Sequence, residues 1–201
     1  DAIVFLSPSF TKFSHVREFS ELQKNGLTEK EKRRVIRFLD IIRQKANVSQ
    51  KAKVVTQNSF PKGTGIASSA SGFAALAVAA CVAAGLSLSE KELSILARQG
   101  SGSACRSIPD GFVMWEAGMS SETSFAHSLF PHAHWDLRDI VVVVTEEEKQ
   151  ISSTGGMQDV ATSPVWEKRQ HEIPGRLGRV TKALEHKDIT LLGETIEEDC
   201  L

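Results

Sequence analysis

A glycine-rich stretch at residues 58–72 has the residue types and spacing of a phosphate-binding loop. It reads Asn-Ser-Phe-Pro-Lys-Gly-Thr-Gly-Ile-Ala-Ser-Ser-Ala-Ser-Gly. Gly63 and Gly65 let the backbone fold closely around an anion, and the free amides and hydroxyls of a following helix start would point at it. The stretch is not a Walker A loop, because no Lys-Ser/Thr pair follows the second glycine. An ordinary glycine turn, with Ser68 capping a helix of small residues, explains the same pattern.

A second stretch, residues 100–106, combines hydroxyls with a guanidinium in the order Gly-Ser-Gly-Ser-Ala-Cys-Arg. If the chain is helical there, Ser103 and Arg106 lie three residues apart on one face and can clamp a phosphate or diphosphate. The alternative is a helix C-terminal turn with a solvated arginine. Spacing alone leaves both interpretations open.

Other polar groups carry weaker signals. Ser153 and Thr154 precede a glycine pair and could line a polar pocket, although an ordinary Ser/Thr turn has the same composition and is favoured. The histidines at positions 127, 132 and 134 lack an acidic or cysteine partner at metal-ligand spacing, so we predict no metal site. Asp110 lies in a Pro-Asp-Gly turn sequence and is not predicted to be a base.

Strands and helices must position these loops. The helix starts are marked by two capping boxes, Thr28 with Glu31 and Ser89 with Glu92. The first predicted elements are a strand at 2–6, a helix over about 28–46 and an extended run at 52–56. A helix from Ser68 to near Gly85 and another from Ser89 to Arg98 follow. Strands at 111–115 and 140–144 are separated by an irregular hairpin or loop, and helical segments are predicted from Ser163 onward and at 178–186. Because strands and helices alternate, we expect an α/β or α+β protein.

Composition excludes several classes of partner. The chain has 201 residues, and its 24 Lys and Arg against 25 Asp and Glu give a net charge of -1, so no basic field attracts nucleic acid or a membrane surface. The most apolar run, residues 73–86, is shorter than the roughly 20 residues of a membrane span. Three widely separated cysteines, at positions 81, 105 and 200, suit a reducing, cytoplasmic compartment. We expect a soluble protein without a signal peptide.

Taken together and in order, the three loop stretches resemble the mevalonate diphosphate decarboxylase family of the GHMP kinase superfamily. Residues 58–76 alone indicate the superfamily, residues 100–107 are much more particular to the decarboxylases, and residues 152–157 complete the pattern. The resemblance extends over nearly all of the chain. It implies an α+β, GHMP kinase-like two-domain fold, with most of the N-terminal ATP-binding domain at 1–150 and the beginning of a truncated C-terminal domain at 151–201.

The resemblance also implies an activity. ATP, with Mg²⁺ inferred from ATP chemistry, would phosphorylate the 3-hydroxyl of mevalonate 5-diphosphate, and loss of that phosphate with carbon dioxide would give isopentenyl diphosphate for isoprenoid biosynthesis. The family commonly forms homodimers. Close relatives act on the 5-monophosphate or only phosphorylate the 3-hydroxyl, so a phosphomevalonate decarboxylase and a mevalonate 3-kinase are alternatives. A non-catalytic nucleotide-binding module is a further alternative from another class.

Site residues follow from the same resemblance. Ser69 would orient the transferring phosphate and Arg106 would hold the substrate's anionic groups, so these two are the predicted catalytic residues. The predicted ATP-binding residues are Thr56, Asn58, Gly63, Thr64, Gly65, Ser68 and Ser69. The predicted substrate-binding residues are Ser101, Gly102, Ser103, Ala104, Cys105, Arg106, Ser153 and Thr154.

The sequence departs from the family pattern in four places. The family's lysine-rich N-terminal segment would precede residue 1 and its general-base aspartate would follow residue 201, so we expect both ends to be cut and this chain alone to be inactive. Residues 62–64, Lys-Gly-Thr, replace the more usual Thr-Ala-Ala, and Pro109 and Asp110 interrupt a usual glycine pair. These two changes leave the choice among phosphorylated substrates open.

Overall fold

The computed structural model describes residues 2–7, 28–56, 68–140, 142 and 160–200. The chain divides into two compact units, Asp1–His132 (unit 1) and Ala133–Leu201 (unit 2). Helices and strands both occur, as the predicted α+β class requires. The predicted domain change near residue 150 falls outside the described residues and stays a prediction.

In its described residues, unit 1 contains two antiparallel strand pairs and three α-helices. Its elements are β1 (Ala2–Ser7), α1 (Glu29–Ala46), β2 (Lys51–Thr56), α2 (Ser68–Ala83), α3 (Glu90–Gly100), a 3₁₀ helix (Gly102–Ser107), β3 (Phe112–Trp115) and β4 (Ala126–Phe130). Strand β1 pairs with β2 so that Ala2 lies opposite Thr56, and β3 pairs with β4 so that Trp115 lies opposite Ala126. The predicted helices at 28–46, from Ser68 and from Ser89 are therefore confirmed, as is the strand at 111–115. Its partner β4 lies in the stretch predicted only as an irregular hairpin or loop.

Both predicted capping boxes are formed. The Thr28 side chain accepts a hydrogen bond from the Glu31 backbone amide at 3.3 Å, and the Glu31 carboxylate accepts one from the Thr28 amide at 2.8 Å. Ser89 and Glu92 repeat the arrangement at 3.3 and 2.9 Å. Each box satisfies two amides that a helix start would leave without partners, so the starts of α1 and α3 are specified locally.

The core of unit 1 lies among its three helices and reaches the 3₁₀ helix. Helix α2 is rich in alanine, and Ala77 is 0% exposed, because small side chains let neighbouring helices approach closely. Ala104 of the 3₁₀ helix is also 0% exposed and belongs to the same cluster. The cluster's buried members are Phe38, Leu39, Ile42, Phe73, Leu76, Ala77, Ala80, Cys81, Leu96, Ala97 and Ala104. The second candidate loop is thus attached to the core by its own side chains.

The described part of unit 2 includes a 3₁₀ turn (Val160–Thr162) and two α-helices, α4 (Trp166–His186) and α5 (Ile189–Cys200). The two helical segments predicted from Ser163 onward form a single helix that continues through Pro174. Among the described residues, no helix is both long and apolar enough to span a membrane.

The strand predicted at 140–144 is not observed where the structure describes it. Ile140 and Val142 lack strand structure and are 84% and 77% exposed, respectively, and the rest of the run lies outside the described residues. An apolar run specifies a buried strand only where another surface covers it. Within the described residues nothing covers these two side chains, so the prediction is wrong for both.

Candidate functional site

The second candidate loop forms a 3₁₀ helix directly after α3. Ser101 ends α3 in an extended conformation, with φ -153° and ψ 127°, and its carbonyl accepts a hydrogen bond from the Ala104 amide at 2.8 Å. In a 3₁₀ helix, side chains three residues apart lie above one another. Ser103 and Arg106 therefore share a face, which is the condition that their predicted phosphate clamp required. Arg106 is exposed and Ser103 half-buried, so both can reach a ligand.

Arg34 of α1 fixes the start of this loop. Its Nε donates a hydrogen bond to the Gly100 carbonyl at 2.8 Å, and its guanidinium lies 4.8 Å from the centre of the Phe73 ring. Partial burial lowers the pKa of Arg34, while the nearby Glu31 carboxylate acts in the opposite direction. Arginine remains charged under such a shift. This contact joins α1 to the end of α3, where the candidate loop begins.

Gly100 is required by close packing at the same point. A Cβ atom at position 100 would lie 2.2 Å from Cδ1 of Phe73, and Phe73 is itself held edge-on to Phe38 at a ring separation of 5.3 Å. No side chain fits there without moving an aromatic ring of the core. The glycine that begins the loop motif therefore serves packing, which the spacing of the motif did not reveal.

The far end of the loop is fixed by Ser94, which sequence reasoning missed. Its buried hydroxyl donates to the Cys105 carbonyl at 3.1 Å and accepts from the Ala126 amide at 2.8 Å. The Cys105 thiol donates to the Gly102 carbonyl at 3.1 Å, and burial raises the pKa of that thiol. Cys105 thus stays protonated at neutral pH and serves the loop as a structural residue.

Two predicted substrate-binding residues therefore have inaccessible side chains. Ala104 and Cys105 are both 0% exposed, so only their backbone groups remain for contact with a ligand. Gly102 and Arg106, on either side of them, are exposed. Within the loop, Gly102, Ser103 and Arg106 are open to a ligand, and the buried side chains of Ala104 and Cys105 anchor the backbone between them.

The β3–β4 hairpin supports the loop from another side. A Cβ atom at Gly102 would lie 3.7 Å from the Trp115 ring, which is ordinary packing distance. The Trp115 indole donates to the Ser124 hydroxyl at 3.0 Å, and Arg98 of α3 donates to the Ser124 carbonyl, also at 3.0 Å. Helix α3 and the hairpin thus hold each other and the tryptophan beside the loop.

The two candidate loops meet through a pair of serines. The hydroxyl oxygens of Ser69 and Ser101 lie 3.2 Å apart, within hydrogen-bond distance. Ser69 is the second residue of α2 and is exposed, whereas Ser101 is buried at 7% exposure. Ser68 begins the helix, and its carbonyl accepts from the Ser71 hydroxyl at 3.1 Å. The predicted nucleotide side and substrate side are in direct contact here.

Most of the remaining predicted site residues fall in parts of the chain that the structure does not describe. Asn58, Gly63, Thr64, Gly65, Ser153 and Thr154 lie outside the described residues. Thr56 ends β2 and is exposed. The roles predicted for all of these positions stay predictions.

Unit 2 holds another group of basic side chains, and those are bound to carboxylates. Arg176 donates to Asp199 at 2.8 Å and to Glu172 at 2.7 Å, Arg169 donates to Asp199 at 2.7 Å, and Arg179 pairs with Glu198. The bonds to Asp199 and Glu198 join α4 to α5, whereas the Arg176–Glu172 pair lies within α4. Arg106 has no such carboxylate partner in the described part of the chain. Among the residues the structure describes, no cluster of His, Cys, Asp and Glu could hold a metal ion.

Two family models together match most of the chain. Residues 9–126 match the diphosphomevalonate decarboxylase-like N-terminal domain, and residues 139–201 match the mevalonate 5-diphosphate decarboxylase C-terminal domain. A diphosphomevalonate decarboxylase of Aspergillus fumigatus is 42% identical over 152 residues, covering 73% of this chain and 38% of that protein. The chain thus spans well under half the length of the curated relatives it matches.

Solved structures of mevalonate diphosphate decarboxylases are also similar to the chain. A complex of MDDEF with MVAPP, AMPPCP and magnesium is 42% identical with a TM-score of 0.75, covering 86% of this chain and 54% of that chain. The mevalonate diphosphate decarboxylase from Enterococcus faecalis, in a study of ATP binding mediated by mevalonate diphosphate, is 41% identical with a TM-score of 0.72, covering 86% and 53%.

Proposed function

Because this chain belongs to the diphosphomevalonate decarboxylase family, we propose that the protein containing it converts mevalonate 5-diphosphate to isopentenyl diphosphate, with hydrolysis of ATP and release of carbon dioxide. The observation that carries the proposal is the 3.2 Å contact between Ser69 and Ser101. It puts the start of the helix that follows the glycine-rich loop against the start of the loop that carries Arg106. A phosphoryl transfer needs its two ligands side by side in this way.

On the nucleotide side, residues 63–69 bind the ATP phosphates. The amino end of α2 supplies backbone amides and the positive end of a helix dipole, and the Ser69 hydroxyl orients the terminal phosphate. Mg²⁺ bound to the phosphates would offset their charge, and a related structure with AMPPCP and magnesium supports both ligands. A magnesium ion held mainly by phosphates and water requires no cluster of protein carboxylates.

On the substrate side, Arg106 and the hydroxyls of Ser101 and Ser103 bind the anionic groups of the phosphorylated mevalonate. The guanidinium has several donors in a fixed plane, which suits a carboxylate or a phosphate held in two-point contact. The Arg106 side chain is exposed while the backbone around it is anchored. Preorganised donors of this kind stabilise charge that develops during reaction.

The reaction then has two steps. The 3-hydroxyl oxygen attacks the terminal phosphorus of ATP and ADP leaves, while a general base takes the hydroxyl proton. That base is an aspartate that the family resemblance places after residue 201. Next the carboxylate carbon leaves as carbon dioxide, its bonding electrons form the new double bond, and the 3-phosphate departs with the electrons of its C–O bond. Arg106 holds the substrate in one position throughout both steps.

A turnover assay with the full-length protein tests this proposal against its alternatives. Mevalonate, its 5-phosphate and its 5-diphosphate are each supplied with ATP and Mg²⁺, and ADP and carbon dioxide are measured together. We expect equal amounts of the two products, with the highest kcat/KM for the diphosphate. ADP without carbon dioxide would indicate a 3-kinase, preference for the monophosphate would indicate a phosphomevalonate decarboxylase, and no turnover with nucleotide binding retained would indicate a non-catalytic module.

Compartment and assembly belong to the same proposal. We propose a cytoplasmic protein, which is supported by three free cysteines, two of them buried. Family resemblance supports a homodimer. Cell fractionation and light scattering of the full-length protein test the two statements.

A further inference from the structure

We propose that Ser94 is the positioning residue that sets Arg106 for substrate binding, and this inference rests on the proposed function. Ser94 lies on α3 at 0% exposure, so it does not meet a ligand itself. Its hydroxyl joins three elements, because it belongs to α3, donates to Cys105 in the 3₁₀ helix and accepts from Ala126 in β4. Cys105 immediately precedes Arg106.

The geometry makes this hydroxyl specific for the residue type. The Cys105 carbonyl accepts from this hydroxyl at 3.1 Å, besides a longer bond of 3.5 Å from the Ile108 amide, and the Ala126 amide donates to the same hydroxyl at 2.8 Å. A hydroxyl does both and a methyl group does neither. Without it, the Ala126 amide would lose this acceptor and the Cys105 carbonyl would keep only the long bond from Ile108, so the link that holds the 3₁₀ helix against α3 and β4 would be lost.

The opposite end of the loop is held independently. Arg34 bonds to the Gly100 carbonyl at 2.8 Å, and Ser101 contacts Ser69 at 3.2 Å. Neither contact involves Ser94. Removal of the Ser94 hydroxyl should therefore displace the end that carries Arg106 while leaving the end next to the nucleotide in place. The predicted defect is selective for the phosphorylated mevalonate over ATP.

Two Ser94 variants and one control separate this role from general stability. Ser94→Ala removes both hydrogen bonds, and Ser94→Cys replaces the hydroxyl with a larger group that is a much weaker donor and acceptor. Cys81→Ala truncates a 2% exposed side chain of the core cluster in unit 1 and leaves both hydrogen bonds of Ser94 in place. All three are made in the full-length protein, and circular dichroism checks that they fold.

Isothermal titration calorimetry with mevalonate 5-diphosphate, and separately with a non-hydrolysable ATP analogue, is the deciding experiment. We expect both Ser94 variants to bind mevalonate 5-diphosphate about tenfold more weakly, as the loss of one correctly placed hydrogen bond implies. ATP-analogue affinity should stay within about twofold of wild type, because the end of the loop next to the nucleotide keeps its own contacts. A twofold change corresponds to less free energy than one hydrogen bond contributes. Cys81→Ala should bind both ligands as wild type does.

The outcomes that contradict the inference differ from those that contradict the proposed function. Unchanged binding of mevalonate 5-diphosphate by the Ser94 variants, or equal weakening by Cys81→Ala, would overturn the role of Ser94 and leave the function standing. Failure of the wild-type protein to bind mevalonate 5-diphosphate would overturn the proposed function and this inference with it.

Discussion

The hydroxyl oxygens of Ser69 and Ser101 lie 3.2 Å apart although 32 residues separate them in sequence. One belongs to the first turn of α2 and the other to the junction of α3 with the 3₁₀ helix. A hydroxyl can donate once and accept twice, so whichever serine accepts in this contact keeps its own O–H to donate to a phosphate oxygen. This relationship joins the amino end of α2 to the start of the 3₁₀ helix through two polar groups.

A double-mutant cycle tests whether the two serines act as a unit. We expect Ser69→Ala and Ser101→Ala each to lower kcat/KM at least about tenfold, because one serine donates to the phosphate and the other orients that donor. The double variant should lose less than the product of the single losses, with a coupling of about 0.5–1.5 kcal/mol. Steady-state kinetics of the full-length protein measures both quantities.

Ser87→Ala, an exposed serine ahead of α3, is the matched control and should leave kcat/KM unchanged. Strictly multiplicative losses for Ser69→Ala and Ser101→Ala would show that the contact has no part in function.

A methyl group at position 100 should disturb the loop from within the core. In Gly100→Ala the new Cβ would overlap Phe73 at 2.2 Å, so we expect the free energy of unfolding to fall by about 1–3 kcal/mol. Substrate affinity should weaken too, because Ser101 is the next residue. Urea denaturation gives the stability change and substrate titration gives the affinity.

Gly178→Ala provides the comparison. Gly178 lies within α4, and a Cβ there meets nothing within 4 Å, so alanine should stabilise the helix by about 0.5–1 kcal/mol. If Gly100→Ala were as stable as Gly178→Ala, the close packing of Gly100 on Phe73 would be refuted.

Acid should loosen the contact between α4 and α5. Hydrogen bonds from Arg169, and then from Arg176, lower the pKa of Asp199 below its ordinary value of 3.8. A carboxylate with a lowered folded-state pKa stabilises the fold above its unfolded pKa, and this stabilisation disappears as the pH falls through the folded value. We therefore expect Asp199→Asn to speed amide hydrogen exchange in these helices near neutral pH, and the difference from wild type to close below about pH 4.

Glu185→Gln, an exposed carboxylate near the end of α4, serves as the control and should change exchange little at any pH. A difference between Asp199→Asn and wild type that persisted undiminished at pH 2–3 would exclude the ion pairs as its cause.

Local signals predicted much of the fold. The pairs Thr28 with Glu31 and Ser89 with Glu92 fixed two helix starts because a capping box involves residues only three positions apart. The shared face of Ser103 and Arg106 followed likewise from a spacing of three. Such features depend on neighbouring residues and little on the rest of the molecule.

What could not be predicted depends on contacts between distant residues. Ser94 resembled any polar residue on a helix, and its importance comes from Cys105 and Ala126, which lie 11 and 32 residues away. In the sequence, Arg34 could not be distinguished from other surface arginines. Its role comes from the hydrogen bond to the Gly100 carbonyl, which forms because the end of α3 packs beside α1. The apolar run that includes Ile140 had a strand's composition, but composition does not supply a covering surface.

Arg106 is the residue through which the central claim is tested most directly. The measurement is kcat/KM for mevalonate 5-diphosphate with the full-length protein, in wild type, Arg106→Gln, Arg106→Lys and the control Arg33→Gln on the exposed face of α1. We expect kcat/KM to fall about 100-fold in Arg106→Gln, which is the upper end of what one hydrogen bond between charged groups contributes. Arg106→Lys should lose only about tenfold, because lysine keeps the charge but lacks the planar guanidinium that makes two-point contacts. Arg33→Gln should match wild type. Wild-type kcat/KM in Arg106→Gln would contradict the claim that this loop holds the substrate.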